Sequence, residues 1–406
     1  MAEPVALRRT LTLPLLTLYG LGTILGAGIY VLVGEVAGIA GMHAPLAFAV
    51  AAVVAAFTAF SYAELAARHP FSAAEAVYVQ EGFGLAWLSI GVGALVLFAA
   101  LASAAALANG FAGYLRLFLD VPPWASILVV LLALGVLAAW GIHESARAAT
   151  VATLIEIGGL LLVVAVSGEG LLALPQRLPE LAPPLQAGAW PGIFLAAFVA
   201  FFAFIGFEDM ANVAEEVKEP ERTMPRAILL ALAIATVLYL LVSLAAVLTL
   251  SRAELAGHAA PLALMYAKAT GREPALIGVI ALFAVTNGAL VLLIRAARVL
   301  HGMSVRGWLP AALGRVHPSR RTPLAATAAV TLATLALALA LPLVSLARAT
   351  SAAILVVFVL INLALLRIRR RAPAPPGVRT YPAAVPLAGC VLSLLLLAYQ
   401  LAGLRY

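Results

Sequence analysis

Charged residues are scarce in this sequence. Of its 406 residues, 25 are Lys or Arg and 18 are Asp or Glu, so that only 11% carry a charge, whereas 64% are apolar. An average soluble chain has about 25% charged residues. So few charges cannot cover a surface that faces water. This scarcity excludes a water-soluble globular protein and indicates a protein that lies in a lipid bilayer.

Cysteine and lysine are almost missing as well. The single cysteine, Cys390, excludes an intrachain disulfide, a cysteine metal cluster and an iron–sulfur site. There are only two lysines, Lys218 and Lys268, and the arginines lie between apolar runs. The formal charge of +7 therefore does not form a basic patch on a polar domain, and we expect no nucleic-acid partner.

The residue sets of common enzymes are missing too. The six histidines lie in predicted loops or at the ends of apolar stretches. No Ser/His/Asp set or metal-ligand spacing occurs at a shared depth, and there is no P-loop for ATP. We therefore expect neither an enzyme nor a bound cofactor, and no metal site is predicted.

Long apolar stretches dominate the chain. A helix of about 20 apolar residues spans the hydrocarbon core of a bilayer, and eleven stretches meet that requirement. They cover residues 11–40, 45–67, 84–115, 123–141, 148–168, 191–216, 226–250, 274–300, 323–341, 344–366 and 383–404. The sequence therefore predicts an all-α integral membrane protein that forms one domain over residues 1–406.

The basic residues predict the orientation of these spans. Most of the 25 Lys and Arg residues fall on one side if the N-terminus is cytoplasmic, which places the C-terminus outside. The first stretch is too long for a secretory signal and more spans follow it. We expect residues 169–190, which contain four prolines, to form an extended outer loop, and residues 251–273 to form a short surface helix.

Two stretches contain residues that disfavour a continuous helix. The first has glycines at positions 20, 22, 26 and 28, and each costs up to about 1 kcal/mol relative to alanine in a helix interior. Clustering at Gly26 and Gly28 predicts a local unwinding. Gly22 lies four residues before Gly26, a spacing that equally suits close packing of helices.

The sixth stretch contains Gly206 followed by Glu208 and Asp209. Unwound backbone inside a membrane is tolerated where it lines a cavity. Freed N–H groups near residues 28–30 can hold a carboxylate, and freed carbonyls near residues 203–207 can hold an ammonium or a metal cation. The two breaks occupy matching positions of spans 1 to 5 and 6 to 10, which is typical of an inverted-repeat transporter.

Four motifs resemble a known family. They are GAGIY at residues 26–30, SYAEL at 61–65, FFAFIGF at 201–207 and AEEVKEPERTMPR at 214–226. Together they resemble the amino acid, polyamine and organocation (APC) transporters, and within them the bacterial permeases of the cationic amino acid transporter type. The resemblance covers residues 11–366.

The resemblance implies the 5+5 inverted-repeat fold of the leucine transporter. The first repeat then covers residues 11–168, the second 191–366, and an extra C-terminal span 383–404; the family usually has twelve spans. The substrate carboxylate is expected on backbone amides of Gly26, Ala27 and Gly28, and its amine on carbonyls near Ala203 and Ile205. The predicted substrate-binding residues also include Thr23, Ile24, Phe204 and Gly206.

Two carboxylates are predicted to couple transport to a cation or proton. The resemblance implies a lysine at the position of Glu156 in sodium-independent members, so the charge here is reversed. Helical spacing places Glu156 on one face with Thr153 and Gly159. Its carboxyl is then protonated, paired with a cation, or bonded to another helix. Glu208 is expected to face the cavity and Asp209 to pair locally, because neighbouring helical residues point about 100° apart.

Further side chains are candidates for the pocket or for a gate. Ser103, Asn109, Phe207 and Asn287 are predicted in this role, and Phe204 is expected to cover the substrate. We expect Arg295 and Arg298 to extend towards the inner interface.

The sequence thus predicts a secondary active transporter that moves amino acids by alternating access, with the proton as coupling ion. Its location is the cytoplasmic membrane of a bacterium or archaeon. The alternatives are transport of polyamines or other organic cations, or of a divalent metal ion bound by Glu156, Glu208 and Asp209.

Overall fold

The computed structural model describes residues 9–25, 28–70, 74–140, 146–183, 188, 190–318, 320 and 322–403. Within these ranges the chain is helical and forms no strand, apart from one isolated bridge between Leu11 and Val217. The α-helices are α1 (Leu13–Leu25), α2 (Gly28–Ala40), α3 (Ala44–Arg68), α4 (Ala74–Phe83), α5 (Ala86–Leu115), α6 (Pro123–Trp140), α7 (Ala146–Val166), α8 (Gly168–Leu172), α9 (Leu174–Leu181), α10 (Trp190–Phe204), α11 (Pro220–Thr249), α12 (Arg252–Leu255), α13 (Pro261–Thr270), α14 (Ala275–Val305), α15 (Leu324–Ala340), α16 (Leu343–Arg371) and α17 (Ala384–Gly403).

The all-helical membrane class is confirmed. Among the described residues, eight helical stretches are long and apolar enough to cross a bilayer, one of which joins α2 and α3. Three shorter apolar helices, at Leu13–Leu25, Thr150–Val166 and Leu324–Ala340, accompany them. Each of the eleven predicted stretches contains one of these helices, while the topology of eleven spans remains a prediction.

The predicted interruption in the sixth stretch is present. Helix α10 ends at Phe204, and a 3₁₀ segment follows at Phe207–Glu216. Between them Gly206 has φ 133°, a conformation that side chains with a Cβ rarely adopt. A Cβ on Gly206 would also lie 2.7 Å from the carbonyl carbon of Thr23. Glycine is therefore required both by the backbone conformation and by the close approach of α1.

The first stretch also consists of two helices. Helix α1 ends at Leu25 and α2 begins at Gly28. The predicted unwinding at Gly26 and Ala27 lies outside the described residues and stays a prediction. A Cβ on Gly28 would overlap the Cα and Cβ of Ala203, so this glycine allows the two interrupted helices to touch.

The prediction of an extended loop at residues 169–190 was wrong for its first part. Helices α8 and α9 occupy Gly168–Leu181. Pro175 lies in the first turn of α9, where the missing N–H costs no helical hydrogen bond, so its presence did not exclude a helix. The predicted surface helix at 251–273 is present as two helices, α12 and α13, and a Ser251/Glu254 capping box begins the first of them.

A buried ionic clamp joins α3 to α16. Glu64 is fully buried and accepts hydrogen bonds of 2.9 Å from Nε of Arg68 and from Nε of Arg369. The backbone N–H of Tyr381 donates to its other oxygen at 3.2 Å. About two helical turns away, Asn362 of α16 donates to Thr58 of α3 at 2.9 Å. These contacts hold α16 against α3 in the conformation described here.

We expect Glu64→Gln to lower the free energy of unfolding by about 3 kcal/mol, because the variant leaves two largely buried guanidinium groups without their carboxylate. Thermal unfolding of the purified protein in detergent measures the change. Glu180→Gln is the control, since it removes only the exposed Arg177–Glu180 pair and should leave the melting temperature unchanged. Equal melting temperatures for wild type and Glu64→Gln would show that the clamp does not stabilise the fold.

Candidate functional site

A cavity lies where the two interrupted helices approach each other. Helices α1, α2, α5, α7, α10, α14 and α16 and the segment after α10 all contribute to its lining. The lining residues are Tyr19, Gly22, Thr23, Ile24, Gly28, Val96, Ala99, Ala100, Ser103, Leu107, Thr153, Phe202, Ile205, Gly206, Glu208, Asp209, Asn287, Gly288, Val291, Leu292, Arg295 and Ile354.

Eight of the predicted site residues line this cavity. They are Thr23, Ile24, Gly28, Ser103, Ile205, Gly206, Glu208 and Asn287. Gly26 and Ala27 lie outside the described residues. The remaining candidates are described residues that do not belong to the lining: Asn109, Glu156, Ala203, Phe204 and Phe207.

A single tyrosine connects the free ends of both interrupted helices. The buried hydroxyl of Tyr239 on α11 lies 2.8 Å from the carbonyl oxygen of Ile24 and 2.9 Å from that of Ala203. Each of these carbonyls belongs to the last turn of a helix that stops inside the protein. The sequence analysis missed Tyr239, although a tyrosine in an apolar run signals a buried hydroxyl that needs a partner.

Thr23 makes a second link between the breaks. Its hydroxyl lies 2.9 Å from the carbonyl oxygen of Gly20 and 3.0 Å from that of Gly206. The carbonyls freed by the breaks therefore accept hydrogen bonds from side chains. Because a carbonyl oxygen has two lone pairs, those that border the cavity retain capacity for a ligand.

Glu208 caps the interruption in the sixth stretch. The backbone N–H of Gly206 donates to one carboxylate oxygen of Glu208 at 2.9 Å. The side chain is buried and belongs to the cavity lining. Glu208 thus satisfies a backbone donor at the break and presents a carboxyl group to the cavity.

Asp209 also lines the cavity, so the prediction that only Glu208 faces it was wrong. Both acids lie in the first turn of the 3₁₀ segment, which begins beside the cavity. Asp209 forms an ion pair with Arg295 of α14 rather than pairing locally. The carboxylate of Glu75 on α4 lies 3.7 Å from the same guanidinium.

The prediction that Arg295 extends to the interface was also wrong. Its side chain borders the cavity and is 17% exposed, because the two carboxylates compensate its charge inside the protein. Arg298, one turn later on α14, is exposed. The sequence analysis missed the pairing of Arg295 with Asp209 and Glu75, since these residues are distant from Arg295 in the chain.

Glu156 lies on the predicted inward face of α7. Glu156 and Thr153 are 0% and 1% exposed, and Gly159 is buried with them. The hydroxyl of Tyr30 on α2 donates to the backbone carbonyl of Glu156 at 2.7 Å. The acid therefore lies beside the second half of the first interrupted stretch, and its role in coupling remains a prediction.

The neutral candidates differ in their surroundings. Asn109 donates to the carbonyls of Ala105 and Ala338 at 3.1 and 3.2 Å and so joins α5 to α15. Phe207 packs against Tyr62 and Phe358.

Phe204 was predicted to cover the substrate, but its ring packs against Tyr239. Phe202 and Tyr19 supply the aromatic side chains of the described lining instead.

We expect Arg295→Gln to lower the free energy of unfolding by about 3 kcal/mol, because it leaves Asp209 and Glu75 buried without a cation. Arg298→Gln, on the exposed face of the same helix, should have little effect. Thermal unfolding in detergent measures both variants.

A second substitution separates the ion pair from other effects of Arg295→Gln. Adding Asp209→Asn should recover part of the loss, since it removes an uncompensated charge. The two single variants and the double variant are compared. If the loss of unfolding free energy in the double variant equals the sum of the losses in Arg295→Gln and Asp209→Asn, the ion pair does not contribute to stability.

Comparison with known proteins agrees with this architecture. The family model described as "Amino acid permease" matches residues 11–403. The branched-chain amino acid permease BcaP of Bacillus subtilis is 32% identical over 334 residues, which are 77% of this chain and 70% of that protein. The methylthioribose transporter of the same organism is 32% identical over 343 residues, 78% of this chain and 72% of the relative.

A plant relative covers a similar part of the chain. The vacuolar cationic amino acid transporter 2 of Arabidopsis thaliana is 32% identical over 360 residues, which are 81% of this chain and 55% of the relative. The match to the family model extends over nearly the whole sequence and includes both interrupted stretches. The chain therefore belongs to the amino acid permease family of the APC superfamily.

Proposed function

We propose that this protein is a secondary active transporter that moves amino acids across the cytoplasmic membrane of a bacterium or archaeon. The observation that carries the proposal is the cavity at the meeting point of two interrupted helices, bordered by Thr23, Gly28 and Gly206. Half-helix ends that meet inside a membrane protein supply backbone donors and acceptors where lipid supplies none. Two of the relatives described above are named as amino acid transporters: the branched-chain amino acid permease and the cationic amino acid transporter.

The backbone around the breaks suits a zwitterion. The N-terminus of α2 begins at Gly28 in the cavity lining, and its free N–H groups and positive helix end favour the substrate carboxylate. Gly26 and Ala27 complete this carboxylate site in our proposal. The amine binds at carbonyls of residues 203–206, where α10 ends.

Alternating access requires two states of the same bundle. We assign the first repeat to residues 11–168, the second to 191–366 and an extra span to 383–404, with the N-terminus in the cytoplasm. The interrupted helices of the two repeats, with α3 and α11, move against the remaining helices. The positive-inside pattern of the basic residues supports this orientation.

Proton coupling is assigned to Glu156 and Glu208. A buried carboxylate inside a bilayer is costly, so a carboxyl group in such a place is suited to carry a proton during part of the cycle. Glu156 contacts α2 through Tyr30, and Glu208 caps the break at Gly206. Both acids therefore adjoin the helix segments whose positions change between the two states of the proposed cycle.

We expect Glu156→Gln to abolish accumulation of substrate driven by a proton gradient, because the amide cannot take up a proton. Counterflow exchange, which needs no net proton movement, should remain measurable. The measurement is uptake of a radiolabelled amino acid into proteoliposomes with and without an imposed gradient. Glu254→Gln, in an exposed pair with Lys268, is the control and should leave accumulation intact. Unchanged accumulation by Glu156→Gln would contradict the coupling role.

The transport function itself is tested by thermal shift of the purified protein with all amino acids, spermidine, methylthioribose, Mn²⁺ and Mg²⁺. We expect an amino acid to give the largest stabilisation, since only a ligand that binds the native state raises the melting temperature. The stabilising compounds are then tested for uptake into proteoliposomes. A shift with spermidine or a metal ion, and none with amino acids, would favour the alternative cargo.

A further inference from the structure

The cavity has two chemically different walls. The first wall belongs to the interrupted helices and consists of residues 22–24, 28 and 205–206, with the carboxyl of Glu208 beside them. The second wall belongs to α5, α14 and α16, and α5 packs closely on the other two. A substrate whose amine and carboxylate bind to the first wall directs its side chain to the second.

The second wall is mainly apolar. Its side chains include Val96, Ala99, Ala100, Leu107, Val291 and Ile354. Ser103 and Asn287 are the uncharged polar residues that these three helices contribute to the described lining. The Ser103 hydroxyl lies 3.5 Å from the hydroxyl of Thr350, so it has an internal neighbour.

The charged groups of the described lining are engaged by other groups of the protein: Glu208 by the backbone N–H of Gly206, and Asp209 by Arg295. Arg295 follows Asn287 by eight residues, which is about 12 Å along a helix. Its guanidinium is held by Asp209 and Glu75. Helices α5 and α16 contribute no charged residue to the described lining, so a charged substrate side chain that lies against them would be buried without a counter-ion from either helix, which is unfavourable.

We propose that the cavity selects amino acids with an uncharged, aliphatic side chain, and that Ala99 and Ala100 determine how large that side chain can be. This inference rests on the proposed transport function. Both alanines are largely buried, at 3% and 4% exposure, and both border the cavity. A methyl group at each position leaves space for the branches of leucine, isoleucine or valine, whose burial releases water from apolar surface.

Competition experiments on the wild-type protein test the selectivity. Radiolabelled L-leucine is exchanged in proteoliposomes against unlabelled L-isoleucine, L-valine, L-lysine, L-arginine, L-glutamate and spermidine. We expect isoleucine and valine to compete at concentrations at least about 100-fold lower than the charged compounds, because an uncompensated charge weakens binding strongly. Stronger competition by lysine, arginine, glutamate or spermidine would overturn the inference.

A size variant tests the role of the second wall. Ala100→Leu fills the space beside α14, so it should weaken competition by leucine at least about tenfold and change competition by alanine less than about threefold. Ala94→Leu, on the exposed face of the same helix, is the matched control and should change neither. If Ala100→Leu does not fold, Ala99→Val provides a smaller test of the same wall. Equal losses for alanine and leucine would contradict a role in size selection.

The outcomes separate this inference from the proposed function. If amino acids bind but charged ones bind best, the protein remains an amino acid transporter and the assignment of the second wall is wrong. If no amino acid binds in either the thermal-shift or the exchange experiment, the proposed function and this inference both fail.

Discussion

The bilayer requires that backbone donors and acceptors be satisfied within the protein, and the two helix breaks depend on how this is achieved. Tyr239 lies within hydrogen-bond distance of the carbonyls of Ile24 and Ala203 and so connects the ends of α1 and α10. Glu208 accepts the N–H of Gly206 on the other side of the second break. The breaks are stable because side chains from neighbouring elements complete them, and the cavity exists because the breaks do.

The few charges inside the helical bundle must likewise be compensated by partners within the protein. Glu64 is compensated by Arg68 and Arg369, and this clamp lies between α3 and α16, away from the cavity lining. Asp209 is compensated by Arg295 at the cavity itself. A carboxylate that joins two helices and one that borders the cavity thus differ in location rather than in chemistry. Burial alone does not distinguish the two roles.

Much of the architecture was predictable from local pattern. Apolar length predicted where helices would form, and the combination of Gly206 with adjacent acids predicted the break after Phe204, which the structure confirms. The wrong predictions have two causes. The partner of Arg295 is Asp209, 86 positions earlier in the chain, and no periodicity along α14 contains that information. The loop at 169–190 was misjudged because its prolines were taken as helix breakers, although Pro175 lies in the first turn of α9 and Pro179 inside that helix.

The sequence by itself determined the solvent, the helical class, the family and the position of the interruption in the sixth stretch, because these depend on local composition and on motifs within single stretches. Tertiary structure alone decided which residues meet at the cavity. It placed Asp209 in the lining, paired Arg295 inside the protein, positioned Phe202 rather than Phe204 at the cavity and brought Tyr239 to both breaks. The physical reason is that a charge or hydroxyl is stabilised by whichever partner packing brings within hydrogen-bond distance, irrespective of separation along the chain.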